Sequence, residues 1–366
     1  LDDGGGRCIE DGDGIRMKIG QADDTGHSNT LTGNRLTRIA YNGLDVFGYG
    51  NTFAHNVIRQ ACQTKGDCGG VRTFGRDSLS QTAVHDLVFR ENIIVDTLGN
   101  TDGCHSDYQS LFGFGFYIDH YSRDVTLTGN TVISATVHGI LYQNSTGSVS
   151  GNTLYNNSRA ASGSGQVWLT GAPTHVSTHS ANVLYSLNGE SWTLSLADSS
   201  VLGASDRNYF FSPYRAEHIR ADGDHSLASW QGYSGKDADS QEHWFTLGAG
   251  DAPRSRILYN DTASPQTVDL GDRQYLDLDQ DAVLGSVTLQ PYTSVVLIDD
   301  GAAGLTLQRM TPSMWGVDEA EDLALTVYGT GFTQNSVVRW GGEGRPTSLV
   351  SAAVLTGISL VSKTRA

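Results

Sequence analysis

The 366 residues carry a net charge of −16, and the sequence has no cluster of Lys and Arg. These features exclude nucleic acid and anionic membrane surfaces as expected partners, because both are recognised through positive charge. No apolar run approaches the roughly 20 residues of a membrane-spanning helix, so we expect no membrane insertion. The abundance of Gly (44 residues) and the low share of charged residues (17%) favour many short strands and turns.

A repeat of about 22 residues organises the first 215 residues. It is clearest from Gly115 to Asn152, where GFYID recurs as GILYQ and VTLTGN recurs as GSVSGN. Further Gly-led segments are GIRMK, GLDVF and GVRTF, and QVWLT at Gln166 is a variant. Two short strands per repeat and no helix predict a stacked β-solenoid. The repeat is marked by asparagines at Asn34, Asn56, Asn92, Asn130, Asn152, Asn182 and Asn208.

This pattern resembles the right-handed parallel β-helix repeat proteins over roughly residues 1–215. The resemblance implies an all-β fold in which the asparagines stack at one corner of successive coils. Asn tolerates left-handed backbone at a turn, and its amide can bond the coils above and below. Intervals longer than 22 residues are expected to be coils with loops inserted at the turns.

Side chains alternate along a strand, so each Gly-led segment is expected to divide between two faces. The inward set runs from Ile15 and Met17 to Val167 and Leu169 and is almost entirely apolar. The outward set carries charges and aromatic rings in rows: Arg16, Lys18, Asp45, Arg72, Tyr117, Asp119 and Trp168.

Two insertions are expected to wall this outer face, because long loops without secondary structure are often functional. One is Val95 to Gly113, and the other, Arg59 to Gly69, contains Cys62 and Cys68 around QTKGD. That spacing favours a disulfide between these two cysteines over free thiols, and over a metal site, which it fits least. A disulfide fits an exported protein.

Two further units are predicted after the solenoid. Residues 216–303 begin with a turn-rich, linker-like stretch, Ser226 to Ser240, and continue with short strands. These strands resemble the C-terminal β-sandwich of many secreted glycoside hydrolases. Residues 304–366 resemble the IPT/TIG family of immunoglobulin-like domains through Gly329, Gly331, Phe332, Trp340 and their neighbours. The IPT/TIG domain is expected to be incomplete, with the natural chain continuing beyond Ala366. The start at Leu1 is interpreted as that of a mature or trimmed product, or of a fragment.

Neighbouring coils of a solenoid lie about 4.8 Å apart, which predicts Asp45 beside Arg16 and Arg72. Two interpretations of this face remain. The row is either a salt-bridge ladder that stabilises the solenoid, or part of a polysaccharide-binding groove in which Tyr117 and Trp168 stack on sugar rings.

Two reactions compete within such a groove. Hydrolysis requires two carboxylates about 5 to 9.5 Å apart, and the candidates are Asp119, Asp67 and Asp45. Elimination by a polysaccharide lyase requires a base and a cation beside a uronate. The candidates for these roles are Arg72, Arg76, Lys18, Tyr117 and His120, although a turn-capping role is expected for His120.

The stretch DCGGVRTFG, followed by GFYIDHYSRDVTLTGN, resembles secreted β-helix proteins grouped with carbohydrate-active enzymes. This resemblance points to Asp67, Arg72, Tyr117 and Asp119 as site residues. We therefore expect an extracellular or cell-surface protein that acts on a polysaccharide, with a glycoside hydrolase favoured over a lyase.

The rival interpretation is a non-enzymatic surface, adhesion or filament protein that self-associates or meets cell-surface partners through its sandwich domains. An enzyme requires an open groove with paired acids, whereas in a stalk those acids are neutralised or buried. No cofactor or metal is expected. The acidic stretches DDGGG, EDGDG and ADD near the start leave Ca²⁺ open, but they lack its regular ligand spacing.

Overall fold

The structure is a computed structural model that describes residues 12–17, 26–76, 78–99, 111–159, 164–302, 304, 306–312, 323–332, 336–340, 343–351 and 354–359. The chain divides into two compact units, Leu1–Ala252 and Pro253–Ala366. Within the described residues, no helix is long and apolar enough to span a membrane.

The first unit is a parallel β-helix, as predicted. Each strand pairs in parallel with the equivalent strand of the next coil, and the described strands form three sheets. Sheet 1 contains Ile15–Met17, Leu44–Val46, Cys68–Phe74, Gly113–Asp119, Ile140–Gln143, Gly165–Thr170, Trp192–Leu196 and Ile219–Arg220, closed by antiparallel Asp224–His225. Sheet 2 contains Thr30–Thr32, Thr52–Ala54, Val88–Arg90, Val125–Thr128, Thr146–Ser150, His175–Ser180 and Leu202–Asp206. Sheet 3 contains Arg35–Thr37, Val57–Arg59, Ile93–Val95, Thr131–Ile133, Thr153–Tyr155, Val183–Tyr185, Tyr209–Phe211 and Gln241–Glu242.

The core lies inside the coils, where the inward side chains of the three sheets meet. From sheet 1 it takes the predicted apolar set: Leu44, Val71, Phe116, Ile118, Ile140, Tyr142, Val167 and Leu169 are fully buried. Apolar burial of this kind is the main favourable term in folding. Ile15 and Met17 are only partly buried against this core.

The predicted asparagine stack is present from Asn34 to Asn208. The backbone N–H and the Nδ2 of each asparagine before Asn208 both donate to the Oδ1 of the next one, at 2.9 to 3.1 Å. Asn208 donates instead to Ser240 and Asp237 of the last coil. The second N–H of the same Nδ2 group donates to a backbone carbonyl oxygen. For example, Asn130 donates to Phe89 at 2.9 Å. An amide carries both hydrogen-bond donors and an acceptor, so identical asparagines can hydrogen bond to one another in successive coils. We call these seven residues the asparagine ladder.

The expected reason for the asparagines is wrong in one respect. The left-handed residue at each corner is the one before the asparagine: Gly33, His55, Glu91, Gly129, Gly151, Ala181 and Arg207 all have φ between 52° and 70°. The asparagines therefore contribute their amides to the stack and not a left-handed backbone conformation. The residue that turns the chain faces outward and varies freely.

The parallel strand pairing of the β-helix extends beyond residue 215. The strand Ile219–Arg220 pairs with sheet 1 and Gln241–Glu242 pairs with sheet 3, so residues 216–252 are part of the first unit. The stretch predicted as a linker contains an α-helix, Leu227–Ser234, capped by Ser226 and Gly235. Its Trp230 is fully buried and donates from Nε1 to Asp237 Oδ2 at 2.8 Å. The helix was not predicted because only two of its residues, Leu227 and Trp230, are buried, and two apolar positions do not make a recognisable helical pattern. A short 3₁₀ helix covers Ser199–Val201.

The second unit consists of antiparallel sheets that fit the predicted sandwich-like domains. One four-stranded sheet contains Ser255–Tyr259, Ser294–Ala302, Arg273–Leu276 and Ala282–Val283. A separate two-stranded sheet is formed by Gln266–Asp269 and Ser286–Leu289. A further sheet contains Thr306–Thr311, Leu323–Thr330, Val354–Ser359 and Thr347–Ser351, and Arg339–Trp340 pairs with Glu343–Gly344. The assignment of residues 304–366 to the IPT/TIG family stays a prediction.

Candidate functional site on the outer side of sheet 1

A row of alternating charges crosses the outer side of sheet 1. The register pairs Arg16 with Asp45, Asp45 with Arg72, and Arg72 with Tyr117, as expected from the repeat. We call this set the charge row: Asp13, Arg16, Asp45, Arg72 and Asp119. Its ion-pair distances run from 3.3 to 3.6 Å, and Arg72 lies between the carboxylates of Asp45 and Asp119, at 3.5 and 3.4 Å.

The carboxylates of Asp45 and Asp119 are buried, in contrast to the open groove that a pair of catalytic acids requires, whereas Arg16 at the end of the charge row is 37% exposed. Asp45 is 1% exposed and Asp119 is 4% exposed. Burial alone would lower the pKa of Arg72, but Asp45, Tyr41 and Asp119 raise it above its usual value. Arg72 therefore keeps its charge, and each buried carboxylate keeps a cation beside it. This arrangement has the features of the predicted salt-bridge ladder.

Asp119 also connects the charge row to a solvent-facing histidine. Its Oδ1 accepts from the backbone N–H of His120 at 2.8 Å and from Nδ1 of the same residue at 2.5 Å. Because a carboxylate only accepts, the hydrogen bond requires a proton on Nδ1, and Nε2 faces away from Asp119 as the other ring nitrogen. The His120 side chain is 39% exposed. A buried acid that orients a half-exposed imidazole is the arrangement of a general base.

His120 lines a cleft of about 510 Å³ together with Phe74, Gly75, Arg76 and Tyr121. The volume lies in the range of small-ligand sites. The rings of Phe74 and His120 meet edge to face at 6.2 Å, and those of His120 and Tyr121 lie 6.0 Å apart. Arg76, a predicted substrate-binding residue, contributes to this wall. The cleft thus combines aromatic surfaces, a cation and an oriented imidazole.

The backbone around the cleft is tightly built. Tyr121 has φ +59°, and the equivalent corner of the next coils is taken by Asn144 at +49° and Gly171 at +76°. A bulky aromatic residue is uncommon in this conformation. A Cβ on Gly75 would lie 2.3 Å from the Tyr121 carbonyl oxygen, so only glycine fits there. The fold therefore holds a strained aromatic residue at the cleft, where a smaller residue would suffice for the turn.

Asp67 lies at the other end of the strand Cys68–Phe74 and is partly exposed. Its Oδ1 accepts from the Tyr117 hydroxyl and its carbonyl accepts from the Tyr41 hydroxyl, both at 2.9 Å. Burial, with Asp119 and Asp67 nearby, raises the pKa of Tyr117, so this phenol remains a donor. The seven-residue strand, at about 3.3 Å per residue, separates Asp67 from the cleft.

The two predicted stacking rings differ in exposure. Tyr117 is 6% exposed, and its ring packs on Phe114 at 4.5 Å, so it belongs to a buried cluster. Trp168 is half-buried at the edge of that cluster and packs on His138 at 4.7 Å. Lys18 lies outside the described residues, as do Cys8, Cys104 and most of the Val95 to Gly113 insertion.

The predicted disulfide is present. Cys62 and Cys68 are bonded to each other, both fully buried, in the loop that leads into the strand Cys68–Phe74. The bond anchors the backbone beside Asp67.

Two roles were predicted for His120 from the sequence, a candidate lyase base and, as the favoured one, a turn cap. The turn cap was favoured because successive residues alternate and Asp119 was assigned to the outer face. The strand ends at Asp119, so the turn brings His120 to the same side. The signal was available in the segment YIDHYS, where an acid and a histidine are adjacent at a strand end.

Comparison with known proteins supports the fold. Residues 9–184 match the family described as "Right handed beta helix region", in agreement with the parallel sheets and with the predicted right-handed β-helix. No curated protein matches the sequence. A solved structure titled "Glycoside hydrolase" aligns over 59% of this chain and 38% of its own, with 11% identity and a TM-score of 0.31. A likeness of this size carries no argument about activity.

Proposed function

We propose that this protein binds a polysaccharide in the cleft and cleaves it, with His120 as the acid–base group and Asp119 as the residue that orients it. The observation that carries the proposal is the hydrogen bond from His120 Nδ1 to the buried Asp119 carboxylate at the edge of an open cleft. Phe74 and Tyr121 offer ring surfaces for sugars, and Arg76 offers a cation.

Elimination suits this arrangement better than hydrolysis. Hydrolysis by two carboxylates requires both to reach the glycosidic bond. Asp45 and Asp119 are buried and paired with Arg72, and Asp67 is distant along the strand. Elimination requires one base and a cation near a uronate carboxylate, which His120 and Arg76 supply.

The step is then the following. His120 Nε2 removes the C5 proton of a uronate residue, and the electron pair forms a C4–C5 double bond. The C4–O glycosidic bond breaks, and its oxygen takes up the proton that His120 removed from C5. Arg76 stabilises the negative charge that develops on the carboxylate side of C5. The net charge of −16 would repel a polyanion at long range, so binding depends on these local contacts.

The test is a screen of purified protein against uronate-containing and neutral polysaccharides. Elimination produces unsaturated chain ends that absorb ultraviolet light, whereas hydrolysis produces reducing ends without that absorbance. His120→Gln retains shape and is expected to lower kcat by about 10² to 10⁴, the usual contribution of a general base. His55→Gln is the matched control, because His55 is also half-exposed beside a carboxylate, Glu91, at 2.7 Å.

Asp67→Asn separates the two reactions. Elimination at the cleft predicts near wild-type kcat for this variant, whereas a hydrolase that uses Asp67 loses activity. If no polysaccharide is cleaved and none changes the melting temperature, the proposal is wrong. The non-enzymatic surface role then stands, and the buried, neutralised charge row favours it.

An extracellular or cell-surface location is part of this proposal. Polysaccharides of this kind lie outside cells, and the Cys62–Cys68 disulfide is typical of an oxidising compartment.

A further inference from the structure

Three metal-binding side chains meet in the last coil of the β-helix. His218 immediately precedes the sheet 1 strand Ile219–Arg220. Glu242 ends the sheet 3 strand Gln241–Glu242, and His243 follows it. One nitrogen of each imidazole and one oxygen of the carboxylate all lie within 4.8 Å of one another. Among the described residues, no other group of three His, Cys, Asp or Glu side chains meets this condition.

Each of the three side chains is held by a neighbour. His218 is fully buried, and its Nδ1 lies 3.1 Å from the Thr193 hydroxyl, which leaves Nε2 directed at Glu242 Oε2, also at 3.1 Å. The same Oε2 accepts from the backbone N–H of Leu227, at the start of the α-helix, at 3.1 Å.

His243 Nδ1 accepts a long hydrogen bond from the Ser212 N–H, at 3.4 Å. An ion that binds His243 therefore displaces either this hydrogen bond at Nδ1 or the proton at Nε2. The His218 and Glu242 side chains are oriented by their neighbours before any ion arrives.

We propose that His218, Glu242 and His243 bind a divalent transition-metal ion, for which Zn²⁺ is the best match. Two imidazoles and a carboxylate form a common zinc donor set, and nitrogen donors disfavour Ca²⁺ and Mg²⁺. The Glu242 side chain is 34% exposed, so a water molecule completes the coordination from the solvent side.

The ion would join sheet 1 to sheet 3 where the stack of coils ends. Solenoids need a cap at their terminal repeats, because the last coil has no further neighbour to cover it. A metal ion at this position would bind the folded coil and not the unfolded chain, and would therefore stabilise the β-helix.

The experiment uses the full chain after chelator treatment and dialysis. Titration calorimetry with Zn²⁺ is expected to give one site per chain, and saturating Zn²⁺ is expected to raise the melting temperature by a few degrees. Co²⁺ at the same site is expected to give a visible absorption spectrum that Zn²⁺ abolishes. Glu242→Gln and His243→Gln are each expected to weaken Zn²⁺ binding at least tenfold.

His85→Gln is the control, because His85 also contacts a carboxylate, Asp86, at 2.7 Å, and its binding should equal that of wild type. Absence of saturable binding, or unchanged binding in both site variants, overturns the proposal. If neither variant folds, the wild-type Co²⁺ spectrum decides, and a spectrum identical to that of Co²⁺ in buffer rejects the site.

Discussion

Two polar stacks run along the same β-helix and use opposite chemistry. In the asparagine ladder, one neutral side chain repeats, and each amide satisfies the next. In the charge row, acids and arginines must alternate, because like charges cannot stack. Both are largely buried.

The comparison explains why the asparagine ladder runs through seven successive coils and the charge row through only a few. An amide is its own partner, so adding a coil adds one more identical residue. A charge row needs the opposite charge in the next coil and loses several kcal/mol per ion in desolvation. We therefore infer a local function for the charge row. Its member Asp119 holds His120, which lines the adjacent cleft.

The largest expected effect comes from breaking the charge row. Arg72→Ala leaves Asp45 and Asp119 buried without their shared cation, and we expect unfolding to become easier by about 3 to 5 kcal/mol. Urea denaturation measures the change. By contrast, Glu91→Gln on the exposed His55 and Arg90 pairs should change stability by less than about 1 kcal/mol.

A combined variant tests the cause. Arg72→Met together with Asp45→Asn and Asp119→Asn removes the charges on both sides, and it should recover most of the lost stability. If Arg72→Ala alone is as stable as wild type, the row contributes nothing to the fold.

Lowering the pH is expected to destabilise buried groups that titrate, such as His138, but not the asparagine ladder, whose amides do not titrate. His138 is fully buried next to Trp168, and burial lowers its pKa to about 3 despite a hydrogen bond with Gly165. The pKa of this histidine is lower in the folded chain than in the unfolded chain, where it is about 6.5. The free energy of unfolding is therefore unaffected by this group above pH 6.5 and decreases as the pH falls towards 3.

We expect a loss of about 1.4 kcal/mol per pH unit within that window, or about 3 kcal/mol by pH 4. Urea melts at several pH values measure the slope. His138→Asn keeps an acceptor for the Gly165 N–H and should flatten the slope. Equal slopes in both proteins would remove His138 from the account of acid sensitivity.

The smallest effect is expected from the asparagine ladder. Asn130→Ala removes the amide that bonds Asn92, Asn152 and the Phe89 carbonyl, and it should cost about 1 to 3 kcal/mol. Asn34→Ala, at the partly exposed first position, should cost less, because water can replace the lost partner. A melting temperature of Asn130→Ala equal to that of wild type would show that the ladder adds no stability.

The sequence by itself determined the coil, the asparagine ladder, the strand register and the Cys62–Cys68 disulfide. Each follows from a local or repeating rule: alternation within a strand, a fixed spacing between coils, or two cysteines in one short loop. The neighbours Arg16, Asp45 and Arg72 were predicted correctly for that reason.

Only the tertiary structure decided which of these polar residues are accessible. Exposure depends on the side chains and loops that cover a position, and these come from distant parts of the chain. For Asp45 and Asp119 the sequence left a groove and a salt-bridge ladder open, and both residues lie buried. His120, for which a turn cap was favoured over a role as a base, lines the cleft. His218, Glu242 and His243 meet for the same reason, because the last coil brings together residues that are 24 and 25 positions apart in sequence.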